Sequence, residues 1–165
     1  MATPTYDLLE SVTLATAASS VTFSSIDQSY GDLILVAEGE LNPSANADFG
    51  LIFNSSTSGY SMVDMMGNGS ATESQSEGNT YADCGTYLYA NTGARQIVTV
   101  NIMDYAATDK HKSFLARNSS SGTSGRVWAV AGRWANTAAI TTVKVEPSSG
   151  SLANGMTFNL YGVAK

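Results

Sequence analysis

Three consecutive runs constrain this chain more than any other stretch: Val21-Thr22-Phe23-Ser24-Ser25-Ile26, Asp27-Gln28-Ser29-Tyr30-Gly31-Asp32, and Leu33-Ile34-Leu35-Val36-Ala37. The first alternates. Val21 and Phe23 fall on one face and Thr22 and Ser24 on the other, the period of a half-buried strand. The second is polar and carries Gly31, so it reads as a connection. The third is apolar at every position, as a strand is when both its faces are covered or when it lies inside a sandwich. Strand, short polar link, strand is the unit that the rest of the chain repeats.

Tyr6 to Leu14 reads as a first strand, with Leu8, Val12 and Leu14 as core candidates. Glu38 to Asp48 reads as a loop, Phe49 to Phe53 as a short apolar strand, and Tyr60 to Met66 as a partly alternating one. Thr72 to Asn79 reads as a second polar loop, and Tyr81 to Tyr89 as an imperfect strand. Ile97 to Met103 is the strongest strand of the second half, and Ala106 to Lys112 is a loop or one helical turn. Strands at Phe114-Leu115, Val127 to Trp134, Ile140 to Val145 and Met156 to Val163 complete the chain. About ten strands, with turn signals between them and almost no helix, predict one all-β domain over residues 1–165. The expected fold is a single β-sandwich of jelly-roll kind.

Only 13% of the residues are charged, about half the usual share, and Ser, Thr, Gly, Asn and Ala fill the difference. Such a surface suits polar strand faces and also suits packing against further copies of the chain. The net charge of −6 argues against binding nucleic acid through its phosphates. No Lys or Arg precedes Arg95, whereas 11 of the 14 acidic residues do; the remainder holds eight basic residues against three acidic ones. Either strands of the two halves interleave and their charges meet inside the fold, or an acidic patch of one subunit faces a basic patch of its neighbour. Met1 to Asp7 has no basic segment followed by an apolar one, so no signal peptide is expected and synthesis is expected in the cytoplasm. No apolar run approaches the length that crosses a membrane.

The residues predict no catalytic centre, cofactor or metal. His111 is the sole histidine, flanked by Lys110 and Lys112, and reads as solvated rather than as a general base with Asp104. Cys84 is the sole cysteine, which leaves no intrachain disulfide and no zinc-thiolate cluster; it reads as a small buried residue. Asp64, Asp83, Asp104 and Asp109 are the carboxylates from which a glycoside-hydrolysing pair would be drawn, though 14 scattered acids place some together by chance. Calcium held by loop oxygens stays open on the same grounds. Trp128 reads as core. Trp134, Tyr60 and Tyr89, with Arg133, are the candidates for a surface that contacts a glycan or a partner.

Several segments, in order, resemble a family of tailed-bacteriophage virion proteins. Val21 to Ile26 with Tyr30 and Asp32-Leu33 resembles the family's opening strand pair. Asp104-Tyr105-Ala106 with Thr108 and Lys110 resembles its middle segment. Trp134 with Thr137-Ala138-Ala139-Ile140-Thr141, and Phe158-Asn159-Leu160-Tyr161-Gly162-Val163, resemble its last two strands. Leu41 to Gly93 carries little of the pattern. The resemblance implies a non-enzymatic β-sandwich on the virion, with capsid decoration (cement) protein as the first reading. That reading implies the capsid exterior as location, the major capsid protein as partner, and a homo-oligomer, trimeric by preference. The second reading is a tail-fibre or appendage module that recognises a host surface glycan.

Overall fold

The computed structural model describes residues 4–42, 47–70, 72–85, 95–121 and 126–165. Its strands, in chain order, are β1 (Tyr6–Thr13), β2 (Val21–Ser24), β3 (Asp32–Gly39), β4 (Leu41–Asn42), β5 (Phe49–Phe53), β6 (Tyr60–Gly67) and β7 (Thr72–Asn79). These are followed by β8 (Ala82–Asp83), β9 (Gln96–Met103), β10 (Lys112–Ser120), β11 (Val127–Trp134), β12 (Thr142–Pro147), β13 (Ser151–Leu152) and β14 (Thr157–Val163). No helix occurs among the described residues.

Eight strands form one antiparallel sheet in the order β1-β14-β3-β9-β10-β11-β6-β7, and four form a second in the order β2-β12-β5-β8. A short pair, β13 with β4, stands apart. The chain keeps crossing between the two sheets: β2, β5, β8 and β12 are each reached from a strand of the other sheet or from the short pair. The fold is therefore an all-β sandwich of jelly-roll kind. One apolar core lies between the layers. Phe23, Phe53, Val143 and Val145 enter it from the small sheet, and Leu33, Leu35, Val100, Phe114 and Phe158 from the large one.

The opening runs land as strands β2 and β3, in different sheets, and the polar link is the crossing between them. Tyr30 in that link lies over β14. A Cβ added at Gly162 would meet its ring at 2.5 Å, so only glycine leaves room for it. The Tyr30 hydroxyl reaches Asp7 on β1 at 3.1 Å. Two segments that stand far apart in the sequence are thereby one packing unit.

Several expectations need correction. Fourteen strands, not about ten, occur among the described residues, and within the loop expected over Glu38 to Asp48 the strand β3 continues to Gly39 and Leu41–Asn42 forms β4. Leu8 is exposed rather than core, because Tyr6 and Leu8 face outward and a β-bulge between Leu8 and Glu10 changes the phase. Leu9 packs against the core in its place, beside Val12 and Leu14, which lie there as expected. Thr72–Asn79 is not a loop but the edge strand β7, paired along its length with β6. An edge strand can stay polar because only one side of its backbone is paired, and apolar periodicity alone does not mark it. Within the expected strand from Tyr81 to Tyr89, Ala82–Asp83 is a strand among the described residues; residues 86–94, Tyr89 among them, lie outside them.

Candidate binding surface

Trp134 and Tyr60, expected as surface aromatics, belong to the core. They are directly opposite each other on β11 and β6, and their rings stack with centroids 6.2 Å apart. Phe53 lies 5.7 Å from Trp134 and 5.8 Å from Tyr60. The Tyr60 hydroxyl accepts from the Phe53 backbone N–H at 2.9 Å and donates to the Ser56 carbonyl at 3.2 Å, closing the β5–β6 turn. Burial pushes its pKa up to about 12. The alternation of β11 explains the correction: Trp128, Val130 and Trp134 share the inward face, which leaves Arg133 exposed on the outer one. Trp128 and Cys84 are buried.

The four carboxylates fall in two settings: Asp64 on β6 and Asp83 on β8 are buried, whereas Asp104 is exposed and pairs with Lys110 at 3.5 Å. Asp109 and His111 are exposed. Among the described residues no group of three or more His, Cys, Asp or Glu side chains is placed to hold a metal ion. Lys112 is fully buried beside this turn; its ammonium donates to the carbonyls of Lys110 (2.9 Å) and Thr137 (3.2 Å), and burial lowers its pKa.

The feature that stands out lies on the outer face of the large sheet. Every exposed large apolar side chain among the described residues is there: Tyr6 and Leu8 on β1, Val63 and Met65 on β6, Ile97, Leu115 and Val127 on β9, β10 and β11. The register aligns them in rows. One row crosses Tyr161, Ile34, Asn101, Leu115, Ala131 and Val63. The next crosses Val36, Thr99, Arg117, Ala129 and Met65. An outer face open to water is expected to be polar; this one carries exposed apolar side chains on β1, β6, β9, β10 and β11, interrupted at the middle of the sheet by Asn101, Thr99 and Arg117.

The two halves of the face differ in relief and charge. Over β6, β11 and β10 the small Ala129 and Ala131 form the floor of a hollow of about 390 Å³ walled by Val63, Met65 and Leu115. A larger hollow of about 610 Å³ adjoins it, lined by Met65, Ile97, Thr99, Arg117 and Val127 among others. On the other half the bulky Ile34, Val36 and Tyr161 are half-buried. The acids of the face, Asp32 and Glu38, sit on β3, while Arg117 and Arg133 sit on β10 and β11. Glu38 is paired with Arg95 at 2.8 Å, joining the acidic and basic halves of the sequence.

Among the candidates that fall within the described residues, Arg133 lies on this surface and Trp134 and Tyr60 do not. The apolar residues around it were missed, although two runs carry the signal. Leu33 to Ala37 and Ile97-Val98-Thr99-Val100 place apolar residues on both strand faces, more than one sandwich core can cover.

No family model matches the sequence, and no curated protein matches it. Among solved structures, the chain is similar to the galectin LEC-6 of Caenorhabditis elegans, with 11% identity, a TM-score of 0.35, and coverage of 100% of this chain and 99% of that one. It is also similar to the PL-14 alginate lyase of Aplysia kurodai, with 10% identity, a TM-score of 0.37, and coverage of 84% and 70%. Both likenesses are too slight to carry function across.

Proposed function

We propose that this chain is a structural protein of a bacteriophage particle, a capsid decoration protein that binds the outer shell and reinforces it. The observation that supports this best is the apolar outer face of the large sheet. An outer sheet face that carries this many exposed apolar side chains marks a protein contact, with the shell or with a further copy of the chain, because leaving apolar area in water forfeits about 25 cal/mol for each Å². A sequence with only 13% charged residues, the ordered resemblance to virion proteins and a two-layer β-sandwich agree with a role in assembly. The action is binding, not catalysis. Many copies, each bound to the shell, favour the assembled state by mass action, and contacts that bridge shell subunits add avidity.

The glycan-binding alternative is the weaker reading, since two of its three aromatic candidates, Trp134 and Tyr60, are core residues. Immunogold labelling of intact particles with an antibody to this chain tests the proposal. Label spread over the heads is the expected result. Label confined to the tail tip or fibres would favour the appendage module, and no label on any particle would remove the virion reading.

A further inference from the structure

The outer face of the large sheet is complementary to itself. Its centre lies between β9 and β10, with four strands on either side. One half carries bulk and acid: Ile34, Val36 and Asp32 on β3. The other carries a hollow and base: Ala129 and Ala131 on its floor and Arg133 at its end, all on β11. The strands β3 and β11 are equidistant from the centre, and the register sets their residues in matching rows. Ile34 shares a row with Ala131, and Val36 with Ala129. Continuing the pairing of Leu33 with Ile102 by one step puts Asp32 in the row of Met103, Ser113 and Arg133.

We propose that this face is covered by a second copy of the chain, face to face, about a two-fold axis that runs parallel to the strands between β9 and β10. Such an axis exchanges the two halves and keeps every row. Ile34 and Val36 then enter the hollow over the partner's Ala131 and the partner's Ala129, and Arg133 faces the partner's Asp32. The alternative two-fold, across the strands, sets β3 on β3 and brings Asp32 against the partner's Glu38, already paired with an arginine of its own chain, so the opposite-charge contact with Arg133 is lost. Charge and relief choose the same axis.

The area is sufficient. Eight strands about 4.8 Å apart, with four outward rows about 6.8 Å apart, span about 700 Å², close to the roughly 800 Å² per partner of a stable interface. The inference rests on the reading that protein covers this face, and not on where in the particle the chain works. It departs from the trimer that the resemblance implies.

Sedimentation equilibrium of the full chain between about 1 and 100 µM reads the oligomer, and a dimer is expected. Ala131→Glu, at an exposed position, fills the hollow and inserts an unpaired charge. It should weaken the dimer on the order of a hundredfold while the far-UV circular dichroism stays unchanged. For the axis, chains carrying Ile34→Cys and Ala131→Cys are mixed and treated with a short bis-maleimide. Cross-links in the mixture, but in neither chain alone, are expected; buried Cys84 stays silent. Cross-linking of Ile34→Cys to itself overturns the axis. A monomer throughout, or a trimer, overturns the dimer. A monomer whose attachment to particles is nevertheless lost with Ala131→Glu overturns the dimer and leaves the decoration reading standing.

Discussion

Gly132 on β11 stands directly opposite Phe114 on β10, and a methyl group there has nowhere to go. An added Cβ would lie 2.0 Å from the ring's Cζ and 2.5 and 2.6 Å from its Cε atoms. Carbon atoms rest at about 3.5–4.0 Å, so the ring must retreat by about 1.5 Å or the strands must part. The ring has little room. It is fully buried and packs edge-on against Phe53 at 6.3 Å. Overpacking of this kind costs about 1–3 kcal/mol, and the lower chain entropy of alanine returns about 0.5–1 kcal/mol. Gly132→Ala should therefore destabilise by about 1–2 kcal/mol, a fall in Tm of about 2–8 °C for a domain of this size.

Urea unfolding followed by tryptophan fluorescence measures this through the midpoint, with an unchanged slope. Phe114→Leu makes space, so the double variant should be more stable than the sum of the two singles by about 0.5 kcal/mol or more. A Gly132→Ala protein as stable as the parent, or strict additivity in the double variant, would refute the placement of Phe114 over β11.

Asn54 has a left-handed backbone (φ 50°), and its Oδ1 accepts from the Thr141 and Thr142 N–H groups at 2.9 and 3.1 Å. Its Nδ2 donates to the Ala139 carbonyl at 2.7 Å. Asn54→Ala loses all three bonds and should cost about 2–4 kcal/mol by urea unfolding, whereas Asn54→Asp, which keeps the acceptor, should cost less. Tyr60 is held protonated by burial, so its contribution to stability is complete below pH 10 and is lost as pH rises towards its folded pKa of about 12. Tyr60→Phe should flatten part of the alkaline loss of stability, measured as unfolding midpoint against pH from 9 to 12; an unchanged slope would contradict the buried hydroxyl. Cys84 is buried, and burial raises its thiol pKa further; it should resist an aromatic disulfide reagent in the native protein and react only on unfolding.

How much of this was legible in the sequence depends on whether a residue's role is local. Val21-Thr22-Phe23-Ser24 and Ile97 to Met103 declare themselves as strands, because alternation and β-branching act within a few residues. The turns declare themselves through Gly, Asn and Ser, and together these signals fix an all-β sandwich. Three things were decided only by tertiary structure. The bulge after Leu8 reversed which leucine faces the core, because its cause is pairing with β14 at the far end of the chain. Thr72–Asn79 became a strand because β6 supplies its hydrogen bonds, not because of its own composition. Trp134 and Tyr60, surface candidates by sequence, are core residues because stacking across the β11–β6 pair puts both inside.

The candidate surface shows the same division. The unbroken apolar run Leu33 to Ala37 announces that something covers both faces of that strand. Which residues share the uncovered face follows from strand order and register, and these are set by pairings between distant segments, β3 with β14 and β3 with β9. Sequence specifies hydrophobicity residue by residue, while a surface is made by neighbours in space. Ile34, Ala131 and Val63 form one row only after the chain has closed its sheet.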